Sequence, residues 1–144
     1  MKVLVDINIL LDVILRREKY FTESKRIIDC CITFVDGSIA LHSFATLFYI
    51  LHEKEHRNIT DCRNIFNNLL YVFDVAGLDK ASLHAAVNTA GFYDLEDAMQ
   101  YKSADLFGAD YIITRDRNDF SASDIPAVTP TEFLEILQSK RFEL

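Results

Sequence analysis

The chain is short of everything that marks a disordered, membrane-bound or disulfide-built protein. Its 144 residues include two prolines and four glycines while half are hydrophobic, which argues against long disorder and for a compact core. No apolar run approaches the roughly 20 residues that span a bilayer. Lys2 leads directly into an apolar strand without a small-residue cleavage site, so no signal peptide is expected. Cys30, Cys31 and Cys62 are odd in number and lack metal-ligand spacing, and two lie in an apolar helical stretch, where free thiols are expected. These features point to the cytosol. Positive charge is also scarce: 15 Lys and Arg stand against 22 Asp and Glu, a net charge of −7. That balance excludes a broad basic nucleic-acid surface, because phosphate binding relies on lysine and arginine. It leaves room for a small basic rim around an acidic site that holds a cation.

What is present alternates. "VLV" reads as a buried strand, and the apolar residues of "INILLDVIL" as a buried helix. After the charged break "RREKYF", Thr22 or Ser24 is placed to cap a helix through about Phe34, with Ile27, Ile28, Cys31 and Ile32 inward. Asp36-Gly37-Ser38 reads as a turn and "SIALH" as a strand. Ser43 opens a helix, "SFATLFYILHEKEHR", whose Phe44, Leu47, Phe48 and Leu51 form a core-facing stripe. Thr60 caps a helix through Leu70, and "YVFDV" is a strand. Two helices follow, closed by Gly91 and Gly108. "DYIIT" is a strand, "RDRNDF" a loop, "AVT" a last strand, and Pro130 precedes a final helix. Strands alternating with helices, and strands that are apolar blocks, predict a mainly parallel sheet covered on both faces, with the first strand central. Nothing marks a linker or repeat, so one domain is expected over residues 1–144.

In such sheets functional groups gather beyond the carboxyl ends of the strands. Asp6 ends the first strand, and Asp116 and then Asp119 follow "DYIIT". Asp94 and Asp97 are three residues apart and share one face at a helix start, with Glu96 expected to point elsewhere. Each acid also suits a bland role. Asp6 or Asn8 fits a helix cap, Asp94 an N-cap, Asp97 the positive end of a helix dipole, and Asp116 and Asp119 an Asx-turn loop. Independent caps have no reason to cluster at one sheet edge, however. Converging carboxylates repel unless a cation holds them, and hard oxygen ligands suit Mg²⁺ or Mn²⁺. Such ions activate water and steady the charge of a phosphoryl displacement, so metal-dependent phosphodiester hydrolysis is the chemistry expected.

Three stretches, "VLVDINILLD", "YDLEDAMQYKSADLFGADYIITRDRNDF" and "TPTEFLEIL", resemble the PIN domain, a small nuclease fold that includes VapC-like toxins of toxin–antitoxin pairs. The resemblance spans almost the whole chain. It implies a three-layer α/β/α sandwich, Mg²⁺ or Mn²⁺, ribonuclease activity, an antitoxin partner and a homodimer, for which the aromatic helices around Phe44–Tyr49 and Phe66–Tyr71 offer an interface. By position it makes Asp6, Asp97 and Asp116 the metal-binding acids, with Asp94 and Asp119 auxiliary. Asn8 and Thr114 become polar neighbours of the first and last acids. Arg115 and Arg117 are placed to meet RNA phosphates, or to be ordinary solvated loop charges.

One acid of the family pattern is missing. Thr46 stands where a glutamate is usual, on the face of its helix opposite the Phe44–Leu51 stripe. The competing reading is therefore a PIN-like module that binds RNA or protein with weakened catalysis. His42 either lines the cleft or is a partly buried structural histidine. Tyr49, Tyr93 and Tyr101 either stack bases or pack in the core or against a partner. A haloacid-dehalogenase-like phosphatase is disfavoured, because the first strand lacks D-x-D-x-T. A phosphate receiver is disfavoured as well, because no lysine follows a late strand.

Overall fold

The computed structural model describes residues 1–142. Five short parallel strands form the centre: β1 (Lys2–Val5), β2 (Asp36–Ala40), β3 (Asp74–Ala76), β4 (Tyr111–Ile113) and β5 (Ala127–Val128), in spatial order β3-β2-β1-β4-β5. The first strand is therefore central, as its unbroken apolar run predicts. Period-two geometry sends alternate residues to opposite faces. Val3, Val5, Ile39, Ile113 and Val128 enter the larger core, whereas Leu4, Ala40, Ala76 and Ile112 enter a smaller one.

Helices cover both faces, giving three layers. The larger core is closed by α1 (Ile7–Ile14), α2 (Phe21–Thr33), α3 (Leu41–Tyr49), α4 (Ile59–Val72) and α7 (Pro130–Phe142). The smaller core is closed by α6 (Leu95–Phe107), on which α5 (Lys80–Asn88) packs. Among the described residues no helix is long and apolar enough to cross a membrane. Gly108 ends α6 in the left-handed conformation (φ 80°), which glycine adopts without a Cβ penalty.

Several sequence expectations are corrected locally. Asp36-Gly37-Ser38 is not a turn but the start of β2. A Cβ on Gly37 would lie 2.7 Å from Cys31 Sγ and 2.8 Å from the Phe73 ring, so glycine serves close packing there rather than bending. Helix α3 starts at Leu41, not Ser43, and His42 belongs to its first turn rather than to a strand. The same helix widens into a π-helical turn over Ile50–Lys54 before the chain leaves it. Asn58, not Thr60, caps α4 by accepting from the Asp61 N–H at 2.8 Å. That helix runs to Val72, so Tyr71 and Val72 are helical rather than strand residues. Helix α5 ends at Asn88, before Gly91, and Pro130 is the first residue of α7. Neither Thr22 nor Ser24 caps α2, which starts at Phe21, and Ile32 faces out of it.

Candidate active site

Three strand ends bring their following residues to one edge. Asp6 leaves β1, the first turn of α3 leaves β2, and Thr114 to Asp116 leave β4. Asp6 occupies the N-cap position of α1 with extended backbone (φ −65°, ψ 141°), yet its side chain makes no regular cap hydrogen bond. It turns inward instead, and Thr114 Oγ1 donates to Asp6 Oδ2 at 2.8 Å. The same hydroxyl accepts the Asp116 N–H at 3.0 Å. Thr114 is fully buried, so one fixed hydroxyl ties together the acids that follow two neighbouring strands.

Burial dominates the electrostatics of Asp6 and raises its pKa. The Thr114 hydroxyl and the nearby N–H groups of Asn8 and Ile7 oppose the rise, while the charge of Asp116 adds to it. Asp97, in the first turn of α6, is half-buried and is pushed up to about 7. Desolvation is the largest cause, followed by the charges of Asp94, Asp119, Asp6 and Glu96. The charge of Asp116 thus adds to the rise at Asp6, and that of Asp6 to the rise at Asp97. Asp94 caps α6, accepting from the Glu96 N–H at 2.7 Å, and also loads Asp97 with charge. Asp119 reaches the same cluster from a 3₁₀ turn over Arg117–Phe120. Asn8 lies half-buried in the first turn of α1 beside Asp6.

Glu96 Oε1 accepts a hydrogen bond from Thr46 Oγ1 at 3.2 Å, across from α6 to α3, in an exposed contact. His42, one turn earlier on α3, has its imidazole pKa lowered by burial and raised by the adjacent Glu96. Its Nε2 is buried without a partner.

The arginines are held within the protein. Arg115 Nη2 donates to Asp12 Oδ1 at 3.1 Å, and its guanidinium lies 3.9 Å over the Tyr20 ring. Asp12 is completely buried in α1 and also receives Arg17 Nη1 at 3.4 Å and Ser24 Oγ at 2.8 Å. The sequence reading missed this clamp, although an aspartate inside the apolar run "ILLDVIL" signals a buried charge that needs partners. Arg117 Nη1 donates to Glu132 at 3.1 Å in an exposed pair. Tyr101 packs in the smaller core against Phe92, so it cannot stack a base, while Tyr49 and Tyr93 are exposed. Phe44 and Phe66 pack edge to face at 5.3 Å, leaving Leu41, Tyr49, Ile59, Leu70 and Tyr71 as the exposed large apolar groups of α3 and α4.

The donor set suits a hard cation. Among the described residues no salt bridge reaches Asp6, Asp94, Asp97, Asp116 or Asp119, so their mutual repulsion has no protein counter-charge. No three His, Cys, Asp or Glu side chains among those residues stand close enough to cage an ion by themselves. A small divalent ion that retains several waters needs only one or two direct carboxylates, and an open acidic edge fits that mode of binding.

The comparisons agree with this geometry. One relative, Ribonuclease VapC1 of Aquifex aeolicus (strain VF5), is 29% identical over 139 residues, which cover 93% of this chain and 94% of the relative. The crystal structure of VapBC2 from Rickettsia felis bound to a DNA fragment from their promoter aligns at a TM-score of 0.65, covering 90% of this chain and 98% of that one. Its identity is 9%, so it speaks for the fold alone. The family model of the PIN domain matches residues 2–118, from the first strand through the loop that carries Asp116. Acids delivered by β1, β4 and the start of α6 to one edge of a five-stranded parallel sheet thus lie within that match, and the chain belongs to the PIN domain family.

Proposed function

We propose that this protein is an endoribonuclease that hydrolyses RNA phosphodiester bonds with Mg²⁺ or Mn²⁺, and that it is the toxin of a cytoplasmic toxin–antitoxin pair. The observation that carries the reading is the convergence of acids near Asp6, with Asp97 pushed up to about 7 first by burial and then by the charges of Asp94, Asp119, Asp6 and Glu96. The relative named Ribonuclease VapC1 supports the activity; the antitoxin partner is proposed on the pairing that the VapBC2 name carries.

One or two of Asp6, Asp97 and Asp116 would hold the ion directly and the others through its waters, with Asp94 and Asp119 at the edge. A divalent ion bound there supplies a more acidic water and offsets charge on the phosphate. The protein's own part is placement. Thr114 fixes the Asp6 carboxylate and the Asp116 main chain together, so the two acids keep one geometry. Asn8 offers an uncharged amide beside Asp6 for a phosphate oxygen. Of the two arginines, Arg117 is the one to meet RNA. Its pair with Glu132 is solvent-exposed, and such pairs are worth about 0–1 kcal/mol, so a phosphate can displace it. Arg115, gripped by buried Asp12, anchors the loop.

A homodimer belongs to the same proposal, with exposed Tyr49, Leu70 and Tyr71 as its apolar contacts. The decisive experiment compares RNA cleavage by wild type and Asp6→Asn, each with Mn²⁺ and with a chelator. Cleavage should require both Asp6 and the metal, with circular dichroism showing both proteins folded. Cleavage that survives either loss overturns the reading.

A further inference from the structure

The carboxyl edge of the sheet carries a second feature beside the acids. A cavity of about 220 Å³ lies between the residues that follow β2 and β3 and the helices α5 and α6. Resting on the ribonuclease reading above, we infer that this cavity is a nucleobase subsite, which holds one base of the RNA next to the phosphate at the acids. Its position follows from the strand order. Neighbouring strands lie about 4.8 Å apart, so the ends of β2 and β3 stand roughly 5 and 10 Å from the end of β1, where Asp6 sits. A nucleotide whose phosphate lies at the acids spans that distance with its own sugar and base. On α6, Met99 lines the cavity only two residues after Asp97.

The lining selects the ligand. The volume falls below the roughly 300–1,000 Å³ of sites for drug-sized molecules and suits a single ring system. No Lys, Arg, Asp or Glu lines it, which fits a neutral base and not a phosphate. Leu41, Leu78, Leu83 and Met99 give it apolar walls, against which the flat faces of a base can lie. Leu41 and Leu83 leave 59% and 41% of their surface in water, area that a bound base would cover. Two polar side chains complete the lining. Ser103 Oγ donates to the Met99 carbonyl at 2.9 Å and keeps lone pairs to accept with. His42 Nε2 is buried and, among the described residues, has no hydrogen-bond partner. An apolar side chain from a protein partner would leave that nitrogen orphaned, which buried polar atoms rarely are. A base brings apolar faces and a hydrogen-bonding edge together, so it satisfies both halves of the site. His42 is then a specificity residue, because it meets the edge by which bases differ.

The test crosses protein variants with RNA variants. The probe is a short single-stranded RNA containing a site that wild type cuts with Mn²⁺, together with a series in which one base at a time is replaced by an abasic sugar. Removing the one base that enters the cavity should lower the kcat/KM of wild type about tenfold, within what stacking contributes per base. Leu83→Ala and His42→Phe should each lower kcat/KM on the intact RNA and leave it unchanged on that abasic RNA, since the interaction they remove is already gone. Leu83 is partly exposed, and phenylalanine keeps the ring at position 42 without its nitrogens, so both proteins should fold, as circular dichroism checks. If the folded variants lose the same factor on intact and abasic RNA, or lose nothing on either, the cavity holds no base. The inference then fails alone, because cleavage by wild type leaves the nuclease reading standing. If wild type cuts no RNA with Mn²⁺, that reading falls and takes the inference with it.

Discussion

The buried Asp12 clamp is the most demanding test of how this fold holds its candidate site. Asp12→Ala removes a wholly buried carboxylate that receives Arg115, Arg17 and Ser24. Breaking a buried pair from one side costs about 3–5 kcal/mol, because the other charge is left without its partner. Here the arginine side chains keep some access to water, 23% for Arg115 and 36% for Arg17, so the lower end applies, about 3 kcal/mol. In urea, with a slope of roughly 2 kcal/mol per molar, the midpoint should fall by about 1.5 M at unchanged slope. A second change, Arg115→Met, removes the charge that Asp12 orphans. The double variant should therefore be less destabilised than the sum of the two single changes. The assay is equilibrium urea unfolding followed by far-ultraviolet circular dichroism. A loss below about 0.5 kcal/mol for Asp12→Ala, the range of ordinary surface changes, would refute the clamp. Additive single and double variants would refute the pairing with Arg115.

Other outcomes follow from the same geometry. Because the pKa of Asp97 is raised, its contribution to the stability of metal-free protein should be present at acidic pH and be lost as pH rises from the ordinary aspartate range through about 7. Thermal unfolding across that window checks the sign, and Asp97→Asn should flatten the profile. Thr114→Val leaves the buried Asp6 carboxylate without its hydroxyl donor and should cost about 1–3 kcal/mol, with cleavage falling more than stability explains. Normal cleavage by a folded Thr114→Val protein would dismiss the tie between the two strand ends. Saturating Mn²⁺ at about 100 times its Kd should add about 2.7 kcal/mol of stability to wild type and far less to Asp6→Asn, as read from urea midpoints. Sedimentation should show a homodimer that Tyr71→Glu weakens; a wild-type monomer at high concentration would reject that interface.

Local patterns carried the architecture. Apolar strand blocks alternating with helical periodicity were enough for a parallel sheet, helices on both faces and a central first strand, because burial on both faces writes itself into residue type. The acid positions were legible for the same reason: a polar residue ending an apolar strand has nowhere to lie but the carboxyl edge. Only the tertiary structure decided what those side chains do. Thr114 binding Asp6 and Arg115 binding Asp12 link residues 108 and 103 apart, and nothing in the local composition encodes either pairing. The turn expected at Gly37 is a strand residue paired with Val3, where a Cβ would meet Cys31 and Phe73, a closeness invisible to turn chemistry. Glu96 shows the limit most sharply. Helix geometry alone turns it from Asp97, and only the fold shows that its carboxylate meets a hydroxyl on another helix, at 3.2 Å.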